Sequence, residues 1–199
     1  MAEDPDAQYM LQIQEGRTGL LEVLVERHRR PLMGYLYRMV QVEAVAEDLA
    51  QETFLRVYRA RRRYMPTAKF TSWLYRIAAN LALNWLRDHK AERWGEHLES
   101  ERLTAHRWAD ERPGIEQRLI RAAERNEVRN AILSLPPRQR SAIVLHKYHG
   151  MPHAQIARAM GTTETAVRSL MYRGYGALRR RLAHLRRGQV ASSRCNTLQ

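Results

Sequence analysis

Residues 153–172 read HAQIARAMGTTETAVRSLMY, and their spacing decides the fold. Ile156, Ala157 and Met160 give a short helix an apolar face. Gly161 permits a left-handed turn, and Val167, Leu170 and Met171 bring the apolar face back in a second helix. Ala157 is small where two helices would cross closely, and Thr162 or Thr163 can cap the second helix through a side-chain oxygen. With those positions inward, Glu164, Thr165, Arg168, Ser169 and Tyr172 point outward. A recognition helix presents such a set to the major groove of DNA, where Arg168 can bond guanine and Arg173 or Arg179 can bond phosphate. An ordinary antiparallel helix pair has the same apolar pattern. The run Arg179-Arg180-Arg181 also suits any helix C-terminus, where cations are favourable without a ligand.

Working outward, helical spacing recurs along the chain. From about Thr18 to His89 it runs through Leu32, Leu36 and Val40, then Ala46, Ala50, Phe54 and Val57, then Phe70, Leu74, Ile77 and Leu81, which predicts three or four packed helices. Arg61 to Lys69 interrupts them as a basic loop, because Pro66 cannot continue a helix. Between Lys90 and Gly114 the period fades into mixed charge with Trp94 and Trp108. It returns at Val128, Ile132 and Leu135 before Pro136-Pro137. The expectation is an all-α fold of two small helical domains joined by a linker, the C-terminal one carrying the helix-turn-helix. The divisions are an N-terminal segment 1–17, a first domain 18–90, a linker 91–117, a second domain 118–186 and a mobile tail 187–199.

The 199-residue chain carries 34 Lys+Arg against 21 Asp+Glu, a formal net charge of +13. That excess points to a polyanionic partner, either nucleic acid or an acidic membrane surface. Lysine occurs only at Lys69, Lys90 and Lys147. Arginine's planar fork suits phosphate and base edges, and a GC-rich genome would give the same bias with no functional meaning. The one cysteine, Cys195, allows no internal disulfide and no cysteine-rich metal site. Met1 to Asp6 is acidic, unlike a signal peptide, and no apolar run approaches the ~18 residues of a membrane span, so a soluble, cytoplasmic protein without membrane insertion is expected.

Arg61, Arg62, Arg63 and Tyr64, with Phe70, Trp73, Tyr75, Arg76, Asn80, Asn84 and Arg87, interleave cations with aromatics and amides. Single-stranded nucleic acid is held that way: bases stack on rings, amides read edges and arginines grip the backbone. Phe70 and Trp73 lie on the apolar stripe with Ile77 and read better as core, which leaves Tyr64, Asn80 and Asn84 as the candidates for base contact. His146, His149 and His153 have a spacing that suggests zinc, but Gly150 and Pro152 interrupt any helix aligning them and no further ligand completes a shell. No glycine-rich phosphate loop, zinc-protease motif or nucleophile elbow is present, so neither an enzyme nor a cofactor is expected.

The stretch Glu47-Asp48-Leu49-Ala50-Gln51-Glu52-Thr53-Phe54-Leu55-Arg56 resembles the polymerase-docking signature of bacterial sigma factors. Phe70 to Arg87, with Trp73-Leu74-Tyr75-Arg76-Ile77-Ala78, is similar to their promoter-melting and minus-ten-reading helix. Leu135-Pro136-Pro137-Arg138-Gln139-Arg140 with the helix-turn-helix is similar to their minus-thirty-five-reading domain. Together these cover about Thr18 to Leu182. With two domains and no sizeable acidic extension, the resemblance is to the extracytoplasmic-function group.

The resemblance implies a transcription initiation factor with core RNA polymerase, promoter DNA and an anti-sigma factor as partners. The polymerase contacts are the clamp helices of the largest subunit and the flap of the second-largest. It implies polymerase binding by Asp48, Leu49, Gln51, Glu52, Phe54, Leu55 and Arg56. Minus-ten contact falls to Arg61, Arg62, Arg63, Tyr64, Lys69, Tyr75, Arg76, Asn80, Asn84 and Arg87. Minus-thirty-five contact falls to Arg140, Thr163, Glu164, Thr165, Arg168, Ser169, Tyr172 and Arg173. Leu170 and Ala166 depart from the family's usual arginine and threonine, so the minus-thirty-five sequence does not carry over from a relative. A free-standing helix-turn-helix regulator, binding operator DNA without polymerase, is the alternative reading.

Overall fold

The computed structural model describes residues 4–89 and 115–185, which are helical throughout and contain no strand. Helices α1 (Pro5–Gln14), α2 (Leu20–Val40), α3 (Glu43–Ala60) and α4 (Phe70–Asp88) form a first body, with a 3-10 turn at Arg61–Arg63 leading into α4. Helices α5 (Ile115–Leu133), α6 (Pro137–His149), α7 (His153–Ala159) and α8 (Glu164–Arg181) form a second. The expected all-α architecture of two helical domains is therefore present. The expected linker lies outside the described residues except for 115–117, which already belong to α5. The expected tail, with Cys195, lies outside them too.

The stripes that predict the helices are the stripes that pack. Leu24, Leu32, Tyr35, Leu36 and Met39 bury one side of α2, and Ala46, Ala50, Phe54 and Val57 one side of α3. Helix α2 ends where Gln41 takes φ 63°, unusual for a side chain other than glycine, with its backbone N–H and its Nε2 both donating to the Tyr37 carbonyl. The N-terminal segment is part of this body. Met10 and Ile13 of α1 are 0% exposed, and α1 packs on α2 and on the 3-10 turn.

Helix α4 is buried over more than one stripe: Phe70, Leu74, Ala78 and Leu81 on one side, and Tyr75, Ala79, Ala82 and Leu86 on another. Two neighbours require two faces. Helix α4 packs on α3 within its own body and on α7 of the second body, where Ala79 and Ala82, on the side of Tyr75, permit close approach. Helix α6 is likewise buried continuously from Arg140 to Leu145, because α2 covers one side and α8 the other. The two bodies are thus docked through α2 with α6 and α4 with α7.

Candidate nucleic-acid interface

The helix-turn-helix is built as its residues dictate. Gly161 takes φ 58°, and Thr163 caps α8 by accepting a hydrogen bond from the Ala166 amide at 3.2 Å. Ile156, Ala157, Met160, Val167 and Met171 are buried between α7 and α8, and Leu170 packs partly against them. Gly174, which periodicity does not explain, lies where a Cβ would meet Ile143 Cδ1 at 2.6 Å, so its absence lets α8 seat on α6.

Outward, Thr163, Glu164, Thr165, Arg168, Ser169, Tyr172 and Arg173 are exposed. Tyr172 is 83% exposed, too open for a structural role. Thr165, Arg168, Ser169, Tyr172 and Arg173 line one shallow, open concavity. The Arg168 guanidinium lies 3.7 Å from Glu164, a loose pair on an open face that a base edge can displace.

The first body shows a second polar face. Arg76, Asn80, Asn84 and Arg87 are all exposed on α4, and their spacing of four, four and three places them on one stripe. The stripe leads to the loop, where Arg62, Arg63 and Lys69 are exposed. Arg61 folds back, donating to the Tyr58 carbonyl at 2.9 Å with its guanidinium 3.9 Å from the Tyr58 ring centre. Between these cations Met65 is 72% exposed, a residue the sequence reading passed over. The signal was available in a large apolar side chain set in a basic turn beside Pro66.

Three expected DNA contacts are buried and need correction. Tyr64 is 4% exposed, its ring 4.9 Å from that of Trp73 and 6.4 Å from that of Phe70, deeper than the half-buried Trp73 that was expected to be core. Burial, reinforced by the charges of Asp4 and Asp6, pushes its hydroxyl up to about 12. Tyr75 is 3% exposed and its hydroxyl lies 2.9 Å from Nδ1 of His149, across the contact between the bodies. Arg140, at 5% exposure, donates to the Met39 carbonyl at 2.7 Å, to the Leu135 carbonyl at 3.3 Å and to the Leu133 carbonyl. Its guanidinium ties the start of α6 to the end of α2, where helix-end carbonyls otherwise lack donors. In the docked arrangement all three hold the molecule together.

Helix α3 offers the third face. Asp48, Gln51, Leu55 and Arg56 are exposed and Glu52 partly so, with Leu55 at 49%. Asp48, Gln51, Glu52 and Leu55 follow the i, i+3, i+4, i+7 spacing of one helical face. The hydrogen bond from Arg56 at 2.7 Å lowers Glu52 from its ordinary value, desolvation opposes it, and the charges of Arg56 and Arg59 add to the lowering. Phe54 and Leu49, expected to touch a partner, turn inward: Phe54 is 9% exposed and Leu49 packs on the core, so they support this face from beneath. Two of the three histidines have other partners, His149 at Tyr75 and His146 at Met151, while the His153 ring lies 5.5 Å from that of His146. His146 Nδ1 lies 3.1 Å from the Met151 carbonyl, and no cluster of metal ligands occurs among the described residues.

Comparison with known proteins agrees with this anatomy. The sigma-70 region 2 profile matches residues 24–92 and the sigma-70 region 4 profile residues 125–187. The RNA polymerase sigma factor CarQ of Myxococcus xanthus is 33% identical over 177 residues, covering 88% of this chain and 97% of its own. The ECF RNA polymerase sigma factor SigE of Mycolicibacterium smegmatis is 34% identical over 160 residues, 80% of this chain and 60% of that longer protein. In fold, the chain is similar to the sigma factor RpoE solved with the anti-sigma factor NepR from Bartonella quintana (TM-score 0.61, 18% identity, covering 81% of this chain and 96% of that one). With both sigma-70 regions in order and a relative aligned along nearly its whole length, the chain belongs to the extracytoplasmic-function sigma factors of bacterial RNA polymerase.

Proposed function

We propose that the three exposed faces divide the work of this sigma factor between polymerase and promoter. Asp48, Gln51, Glu52, Leu55 and Arg56 dock on the polymerase clamp helices. Arg62, Arg63, Lys69, Arg76, Asn80, Asn84 and Arg87 hold and read the melted minus-ten strand, with Met65 placed to stack on an unpaired base. Thr165, Arg168, Ser169, Tyr172 and Arg173 read the minus-thirty-five duplex from the major groove, while the second domain contacts the flap of the second-largest subunit. The factor acts in the cytoplasm, works by binding without catalysis and needs no cofactor. Among the described residues no helix is long and apolar enough to cross a membrane. An anti-sigma factor is its regulator, as NepR is a partner of the structurally similar RpoE.

The docked arrangement bears on this reading. Elements centred near minus ten and minus thirty-five lie about 25 base pairs apart, roughly 85 Å at 3.4 Å per pair. A helical body of this size is about 30 Å across. The two bodies must therefore part on the promoter, and the seam of Tyr35, Tyr75, Arg140 and His149 must open. Tyr75 and Arg140 become available to DNA only then.

The observation that carries the proposal is the pair of separate exposed polar stripes, on α4 and α8, together with a third polar and apolar face on α3. A free-standing regulator would use the α8 stripe alone and leave the others without a task. Run-off transcription with purified bacterial core polymerase on genomic promoter fragments tests it. Specific transcripts dependent on the factor support the proposal. Tight binding to a DNA site without polymerase, with no initiation, overturns it.

A further inference from the structure

Helix α1 lies outside the residues matched by the region 2 profile, which begin at 24, and the three faces described above leave it without a role. Its two ends grip the two ends of the basic loop. Near its C-terminus, Gln14 Nε2 donates to the Arg62 carbonyl in the 3-10 turn at 2.9 Å. At its N-terminus, Asp4 Oδ2 accepts the Phe70 amide, the first of α4, at 2.6 Å, while Oδ1 accepts from the amide of Asp6 at 3.2 Å. One carboxylate thus caps both α1 and α4, though the sequence distance between Asp4 and Phe70 is 66 residues.

The body of α1 is fixed to the fold. Met10 and Ile13 are fully buried, and Asp6 pairs with Arg27 and, at 2.8 Å, with His28. The loop between the two grips is held only loosely from within, by short-range bonds such as Thr67 N–H to the Met65 carbonyl at 2.8 Å. Tyr64 Oη is buried with no hydrogen-bond partner among the described residues, so ring packing on Phe70 and Trp73 places it, and Asp4 anchors the first turn of that helix.

We propose that α1 is a brace for the promoter-strand loop: Asp4 and Gln14 are positioning residues that hold Arg62 to Phe70 in the shape that engages the minus-ten strand. The inference rests on the reading of that loop as the strand contact. Bracing has a consequence opposite to that of simple electrostatics. A carboxylate at the Phe70 end of this basic loop would, acting only through its charge, weaken phosphate binding, and its removal would strengthen it. As a brace, its removal loosens the loop and weakens binding, and a neutral side chain that still accepts from the Phe70 amide recovers part of it.

The test uses holoenzyme assembled from core polymerase and the full chain. The probes are a labelled single-stranded oligodeoxynucleotide carrying the non-template minus-ten sequence of a promoter selected by run-off transcription, and a separate minus-thirty-five duplex. Asp4→Ala is expected to weaken strand binding about five-fold, the usual scale of a lost helix cap, and Gln14→Ala about three-fold, the scale of one exposed hydrogen bond, with duplex binding within two-fold of the parent. Asp4→Asn, which keeps one acceptor oxygen for the Phe70 amide while its Nδ2 cannot accept from Asp6, is expected to recover part of the strand affinity that Asp4→Ala loses. Tighter strand binding by both Asp4 variants, unchanged binding by Asp4→Ala and Gln14→Ala, or equal losses on both probes overturns the brace. Gln14 is exposed, so its variant remains informative if Asp4→Ala melts early. The double substitution Arg62→Ala/Arg63→Ala separates the two layers. If it weakens strand binding while the α1 variants do not, only the brace fails. If it has no effect, the loop reading fails and the brace with it.

Discussion

The hydroxyl of Tyr75 on α4 lies 2.9 Å from Nδ1 of His149 at the end of α6, with their rings 5.0 Å apart, joining α4 to the second domain. Tyr35 packs edge-on against both rings and lies 2.8 Å from Ser141 Oγ. Burial raises both tyrosines, so each stays a neutral hydroxyl, and Tyr75 shares its hydrogen bond with a His149 that burial keeps unprotonated.

That relationship makes docking dependent on pH. His149 is pushed down from 6.5 to about 4, by burial first and by the charge of Arg38 second; Arg38 itself sits over the Tyr148 ring at 4.3 Å. Between those values the separated bodies take up a proton that the docked pair refuses. Docking is therefore strongest above pH 6.5 and weakens as pH falls toward 4. Allowing for the partial exposure of His149, the loss at pH 5 is about 1 kcal/mol. Energy transfer between dyes on the two bodies should fall from pH 7.5 to 5. His149→Gln should flatten that profile, and a variant that kept the full profile would assign the effect to another group.

Arg140→Ala should loosen the same seam at neutral pH. It removes donors to three carbonyls, of which Met39 alone lies across the seam, so docking loses one bond and leaves a buried acceptor unsatisfied, at a cost of about 1–3 kcal/mol, while the losses at Leu133 and Leu135 fall on the second body itself. Small-angle scattering should show a larger radius of gyration for the free variant, with helix content retained. An unchanged radius would mean that the apolar contact of α4 with α7 holds the bodies without it.

How much of this was legible in the sequence follows from which forces are local. The apolar stripes Leu32–Leu36–Val40 and Ala46–Ala50–Phe54–Val57 record the faces that pack, and Gly161 and Thr163 record backbone needs of their own turn, so the helices and the helix-turn-helix could be read directly. The exposed stripe Arg76–Asn80–Asn84–Arg87 was legible for the same reason. The burial of Tyr64, Tyr75 and Arg140 was not, because each is decided by a partner distant in the chain. Met39 lies 101 residues from Arg140, and His149 lies 74 from Tyr75. An aromatic or arginine in a basic, amide-rich segment looks the same whether it meets a base or another helix. Asp4 gave no signal for a similar reason, since nothing in the first residues marks Phe70 as their partner.

Gly161→Ala should destabilise the second domain by about 1 kcal/mol. At φ 58° a Cβ is strained, and no atom within 4 Å would clash with it, so the cost is that of the backbone alone. Thermal unfolding should show it, and Gly161→Asn should lose less, because asparagine tolerates this region better. Equal losses for both would point to a packing role instead.

Arg168→Ala should weaken minus-thirty-five-dependent promoters by ~1–3 kcal/mol and relax preference at one base position. The pair with Glu164 is exposed and loose, so stability should hardly change. A uniform loss across unrelated duplexes, with a lower salt slope, would make Arg168 a phosphate contact.

The α3 face gives the sharpest separation of binding from folding. Asp48 is exposed, and among the described residues Glu52 pairs with Arg56 and Arg59 of its own helix, so replacing both by alanine leaves the core of Phe54, Val57 and Ala50 untouched and removes two exposed ion pairs, the closer one with Arg56. The melting temperature should therefore stay within a few degrees of the parent, while binding to core polymerase and all run-off product are lost. Leu55→Ser should have a smaller effect in the same direction, because about half of that side chain is already in water and only the remainder is available for further burial against a partner. Full polymerase binding by the Asp48→Ala/Glu52→Ala variant would move the docking surface elsewhere on the first body, and a collapsed melting temperature would show that the ion pairs stabilise α3 itself.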